Sequence, residues 1–219
     1  GTDMGKEDHK LSKAELRRKE TFEVVKAGLE EEGFHMTELT MSTVAANVKA
    51  VIAALPLLVI LWVVFNAVNP KAEGLSGEIM YMLLFFGIFM VLVVIHELIH
   101  GFVWGMSAKS KFKSIEFGVI WEYLTPYCTC SEPLKRHQMV LGALMPTILL
   151  GVIPAAVACC IGSVEVAFMA GAMILGGGAD IMVVGKILRH KASKNALYHD
   201  HPYKVGTIVF DKEDEYIKE

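Results

Sequence analysis

The segment His96-Glu97-Leu98-Ile99-His100 sets two imidazoles four residues apart with a carboxylate between them. On a helix that spacing is about 40° of rotation, so both rings lie on one face and Glu97 lies beside them. Two neutral imidazoles can ligate zinc, and an adjacent carboxylate can hold a proton of metal-bound water; this is the chemistry of zinc hydrolysis. His96 and His100 are therefore candidate metal ligands, Glu97 the candidate catalytic base and Zn²⁺ the expected cofactor. From Ile79 to Ala108 the only ionisable side chains are those three and the Tyr81 phenol. Polar groups kept within so apolar a stretch are costly and mark function. The competing reading is a chance match, with the histidines bonded to neighbouring helices.

A second polar anomaly follows in Gly176-Gly177-Gly178-Ala179-Asp180, inside the otherwise uncharged run from Val166 to Gly185. Asp180 precedes Lys186 by six residues, about 9 Å at helical rise, and His100 precedes Lys109 by nine, about 13 Å. Both then sit at similar depth below one face, which makes Asp180 a candidate third ligand. A buried carboxylate bonded to Ser, Thr or backbone is the alternative. The glycines would let the backbone bend or come close to the motif helix.

The elements that must position these groups read as membrane helices. The 219 residues are 53% hydrophobic with a mean hydropathy of +0.45. Four runs are long enough to cross a bilayer, at about 50–70, 79–106, 139–163 and 166–186. Lys and Arg number eight before the first run, five in the second connection and seven in the tail, against one in the first connection and none in the third. Positive segments stay inside, so both termini and the middle loop are expected on the cytoplasmic side. The first apolar run lies too far along for a cleavable signal and is expected to act as an uncleaved anchor. The fold class expected is an all-α membrane bundle: four transmembrane helices with a small cytoplasmic β-hairpin between spans two and three. Residues 1–45 form an N-terminal arm, 46–190 the four-span catalytic membrane domain and 191–219 a C-terminal tail.

Within this frame, residues 5–33 read as a solvated helical arm with a Ser12/Glu15 capping box and a stop at Gly33, after which the chain turns toward the first span. Gly101 and Gly105 would let another helix approach. Gly142, Pro146, Gly151 and Pro154 predict a kinked third span whose freed carbonyls could face the site. Ile115 to Tyr123 alternates as a strand, Thr125-Pro126 reads as a turn, and Tyr127 to Cys130 as a short return strand. Val205 to Phe210 reads as a strand that could join that hairpin. His199, Asp200 and His201 could form an accessory metal site or a surface turn. The four cysteines are expected to be reduced thiols.

These residues resemble a known group. His96-Glu97-Leu98-Ile99-His100 in one span with Asp180 in a later one is similar to the site-2 protease type of intramembrane metalloprotease. Closer still is the small zincin peptidase family of four-span membrane proteins. That likeness runs from about Gly33 to Phe210 through Phe117-Gly118, Leu124-Thr125-Pro126-Tyr127, Gly142-Ala143-Leu144-Met145-Pro146, Gly176-Gly177 and Asp200-His201-Pro202-Tyr203. The resemblance implies that His96, His100 and Asp180 ligate zinc and that Glu97 is the base. The chain lacks the PDZ-like module of larger site-2 proteases, and the Asn-containing motif or Asp-Gly pair usual near the third ligand.

The expected activity is zinc-dependent intramembrane endopeptidase action on membrane-associated proteins near the cytoplasmic face, in a prokaryotic cytoplasmic membrane. Expected partners are a membrane protein or peptide substrate and the lipid bilayer, with no nucleic acid. A metal-binding transporter or sensor, or a non-proteolytic membrane scaffold, are the other readings of the same residues.

Overall fold

The computed structural model describes residues 12–74, 77, 79–120 and 125–212. Helix α1 (Lys13–Glu31) starts at Ser12, whose hydroxyl accepts from Glu15 N while the Glu15 carboxylate accepts from Ser12 N. It stops at Gly33, with φ of 86°, where Gly33 N and Phe34 N donate back to the carbonyls of Glu30 and Leu29. The expected residues 5–11 of this helix lie outside the described ones. The arm is not simply solvated. Phe22 and Leu29 are buried with Phe34, Ile208 and Phe210, and each such side chain stabilises the docked helix by about 1.5–3 kcal/mol.

After Gly33 the chain forms strand β1 (His35–Met41), where a mere turn was expected, and then α2 (Thr43–Val68), capped by Ser42. Helix α3 (Ile79–Ser107) carries the His-Glu-x-x-His segment. A 3₁₀ turn (Lys111–Ser114) leads into the hairpin β2 (Ile115–Ile120) and β3 (Thr125–Cys130), paired antiparallel from Ile115↔Cys130 to Ile120↔Thr125. Thr125 and Pro126 belong to β3, so the turn expected at those two residues is not there; the expected strand residues 121–123 lie outside the described ones. Strand β4 (Leu134–Lys135) precedes α4 (Arg136–Thr147), a π-helical turn (Ile148–Val152) and α5 (Ile153–Ile161). Helices α6 (Val164–Gly176) and α7 (Gly178–Arg189) follow, then β5 (Leu197–Asp200) and β6 (Val205–Asp211).

Strand β6 does not join the hairpin. It pairs with β1 on one side and β5 on the other, in a four-stranded sheet of order β1-β6-β5-β4. The reason is burial on both faces. Ile208 and Phe210 point under α1, while Val209 points into a core with Trp104, Leu134, Met139, Val184, Ile187 and Tyr198. Successive side chains of a strand face opposite ways, so a strand covered on both sides reads as an unbroken apolar run.

Among the described residues, three helices are long and apolar enough to cross a membrane: Thr43–Val68, Ile79–Ser107 and Arg136–Ile161. The pair α6 and α7, bent by 47° at Gly177, makes a fourth if counted as one span. Their outer faces are clad in exposed Val, Ile, Leu, Met and Phe, a surface compatible with lipid. Far from the sheet, α2, α5 and α6 close on small residues, Ala54, Ala155 and Ala170, with Ile174. Gly101 and Gly105 face no helix. A Cβ at either would strike Phe117 or Phe112, so they admit the hairpin and the 3₁₀ turn.

Candidate metal centre

The C-terminal half of α3 is its buried half: His96, His100, Val103 and Trp104 are all inward. One helical turn places the rings with centroids 4.8 Å apart and Nε2 atoms 3.1 Å apart. Asp180 lies in the first turn of α7, just past the break at Gly177. Its Oδ2 is 3.2 Å from His96 Nε2 and 3.5 Å from His100 Nε2. The alternative of a carboxylate bonded to Ser, Thr or backbone does not describe this contact.

The break that aims Asp180 follows from packing. Gly177 lies against Thr147, where a Cβ would come within 1.9 Å of the hydroxyl oxygen, and Gly178 lies against the Ala50 carbonyl at 2.3 Å by the same measure. Without side chains at those positions α7 can start there, wedged between α4 and α2.

His100 has a defined orientation. Its Nδ1 is 2.8 Å from the Gly142 carbonyl of α4, so Nδ1–H donates and Nε2 is left as a bare lone pair facing His96 and Asp180. That carbonyl is free for a local reason: its helical partner four residues on is Pro146, which has no N–H. The predicted exposure of freed carbonyls toward the site is met at this residue. Trp104 stacks on His100 at 5.0 Å and 13°, with its indole N–H directed to the Met139 carbonyl at 3.3 Å. Gly142 leaves room for that indole.

The three donor atoms thus form a triangle with edges of 3.1, 3.2 and 3.5 Å. Tetrahedral zinc with N and O donors at about 2.0–2.1 Å spaces them about 3.3–3.4 Å apart. Two imidazole nitrogens and a carboxylate so close oppose one another unless a cation or shared protons lie between them. The residues present could hold zinc, by both donor chemistry and spacing. The Glu97 carboxylate, with both imidazoles, completes a group whose donor atoms lie within 4.8 Å of one another. The Cys128 backbone N–H of β3 also faces the Glu97 carboxylate.

Residues 89–194 match the family model described as "Putative zincin peptidase". This match supports a zincin-like family. It suggests zinc metallopeptidase chemistry, and its span holds His96, Glu97, His100, Gly142 and Asp180. No curated protein and no solved structure matches the chain.

The accessory site is not formed. His199 packs on Phe22, Asp200 accepts from Thr129 Oγ1 and Cys130 N, and His201 Nδ1 accepts from the backbone N–H groups of Tyr203 and Lys204. Three neighbours in sequence serve three different elements, because alternate strand residues face opposite ways and the chain turns at Pro202. The cysteines are free thiols. Burial, then the nearby Glu97 and Asp200 carboxylates, hold the Cys128 thiol well above its ordinary range, so it is no thiolate nucleophile. Two contributors escaped the residue-by-residue reading: Trp104, whose signal was its i+4 spacing from His100, and the Cys128 N–H, for which there was none. Asp200 was singled out for a different role, as an accessory metal ligand, and instead bonds to β3.

Proposed function

We propose that this chain is a zinc-dependent intramembrane endopeptidase, with His96, His100 and Asp180 holding the metal and Glu97 as general base. The triangle of Nε2, Nε2 and Oδ2 atoms is the observation that supports it. Bound zinc supplies a water of lowered pKa and polarises the scissile carbonyl. Glu97 would serve as the base that takes a proton from the attacking water and returns it to the leaving amine, with the Cys128 N–H facing its carboxylate. His100 keeps its Nε2 toward the centre through the Gly142 carbonyl. The apolar outer faces of α2 and α3 lie in the bilayer, the basic segments at the cytoplasmic face, and the substrate is a membrane-associated protein.

A helical substrate hides its peptide bonds, so it must unwind and be held extended. The β2–β3 hairpin covers α3 and offers an edge for pairing. Cys130 N turns away from β2 toward Asp200, and Ser131 N donates to Ser114 O. By alternation, Cys128 and Pro126 also turn outward on β3, and Phe117 and Val119 turn outward on β2. The β3 edge is engaged by Glu97 and Asp200, so substrate pairs along Phe117 and Val119 of β2. Val119→Pro removes an outward N–H without breaking the hairpin ladder and should lower cleavage with zinc retained.

The test is bound zinc and peptide cleavage by purified protein, beside Glu97→Gln and Asp180→Asn. Cleavage lost with zinc kept in Glu97→Gln, and zinc lost in Asp180→Asn, support the peptidase. Metal-dependent function surviving in Glu97→Gln would instead indicate a transporter or sensor.

A further inference from the structure

Asp200 lies on β5, in the four-stranded sheet β1-β6-β5-β4, yet its carboxylate reaches out of that sheet. Its Oδ2 accepts from Thr129 Oγ1 at 3.3 Å and from Cys130 N at 3.4 Å, both on β3. Among the described residues these are the hydrogen bonds that join the two sheets between β5 and β3. A two-stranded hairpin is marginal by itself, so its placement depends on what it is tied to. Strand β5 is a firm anchor: Tyr198 is fully buried, and β5 pairs with both β4 and β6.

The tie has a consequence two residues away. Backbone N–H groups at alternate positions of an antiparallel strand point the same way. Cys130 N–H points to Asp200, so Cys128 N–H points out along the same edge, and there it meets the Glu97 carboxylate. We infer that Asp200 is a positioning residue for Glu97, fixing β3 so that the Cys128 N–H stays on the carboxylate. The inference rests on Glu97 acting as the base. It also accounts for a carboxylate in the Asp200-His201-Pro202-Tyr203 segment that faces the hairpin rather than solvent or an ion.

The experiment uses full-length zinc-loaded protein in detergent or lipid, with Asp200→Ala, Asp200→Asn and Thr129→Val. Amide exchange across residues 126–130, bound zinc, kcat and KM are measured for each. Asp200→Ala should lose protection in that segment and drop kcat by roughly 10- to 100-fold, the scale of a misplaced catalytic group, with KM and zinc little changed. Asp200→Asn keeps an acceptor oxygen and should recover most of kcat, a rescue that a purely charge-based role would not give. Thr129→Val should fall between them. Unchanged protection at 126–130 in Asp200→Ala, or a kcat loss that only tracks zinc loss, overturns the inference. If the wild-type protein holds zinc but cleaves nothing, the peptidase reading fails; the exchange result then still decides whether Asp200 fixes β3.

Discussion

His100 Nδ1–H donates to the carbonyl of Gly142 at 2.8 Å, across two helices and 42 residues of chain. The bond exists because Pro146 cannot claim that carbonyl, so a helix defect on α4 sets the tautomer of a ring on α3.

Pro146→Ala restores a backbone N–H that competes for the Gly142 carbonyl. With the His100 ring less constrained, zinc affinity should fall about 10- to 100-fold, the usual cost of losing such an outer partner. Competition with a chelator of known affinity measures it; unaltered affinity would remove the carbonyl from the account.

Gly177→Ala puts a methyl where the Thr147 hydroxyl lies, 1.9 Å away, and must push α7 from α4. Asp180 moves with α7, so zinc binding should weaken and the unfolding temperature drop. Thr147→Ala removes the clashing oxygen, and the double variant should regain much of both. A double variant no better than Gly177→Ala alone would refute this geometry.

Arg136, at the start of α4, donates through its Nη2 to the carbonyls of Ile187 and Leu188 at 3.0 and 2.9 Å, at the end of α7. It caps carbonyls with no helical partner and sits favourably on that dipole. Arg136→Met should destabilise the protein by about 1–3 kcal/mol while leaving the donor triangle intact. Thermal unfolding beside zinc content checks both halves.

His201 gives a pH dependence outside the metal centre. Burial, helped by Lys204 and His199 and opposed by Glu38, lowers its pKa to about 4. Its Nδ1 accepts two backbone N–H bonds, which requires the neutral ring. The unfolded chain binds this proton near pH 6.5, so between about 6.5 and 4 it takes up more protons than the folded one. The stabilisation is full above that window and is lost as pH falls through it, on the order of 2–3 kcal/mol in all. Unfolding temperatures across pH 4–7.5 should drop more steeply for the native chain than for His201→Asn, whose side-chain oxygen can take the same N–H bonds without titrating.

Much of the local structure was legible because local rules govern it. Ser12 with Glu15 started α1, Gly33 ended it, and the apolar runs became helices close to the expected bounds, except that α2 starts at Thr43, well before the expected residue 50. Pro146 foretold a free carbonyl. What failed was partnership. The N-terminal arm read as solvated, but β6 supplies Ile208 and Phe210 as a floor for its Phe22 and Leu29. Strand β6 looked like a mate for the nearer hairpin, but only β1 and β5 lay where both of its faces could be covered. Gly101 and Gly105 announced a close approach without saying that Phe117 and Phe112 would make it.

From its order of residues alone this chain determined the pairing of His96 with His100, since helical pitch sets their separation whatever surrounds them, and it determined that a carboxylate at Asp180 would be expensive to leave alone. Tertiary structure decided the rest. It brought Asp180 to within 3.2 Å of a ring 84 residues away, carried the free Gly142 carbonyl to His100, and set Asp200 of β5 against β3, the strand beside Glu97. Those distances depend on which apolar faces pack together and how closely glycines let them come, and no local spacing encodes that.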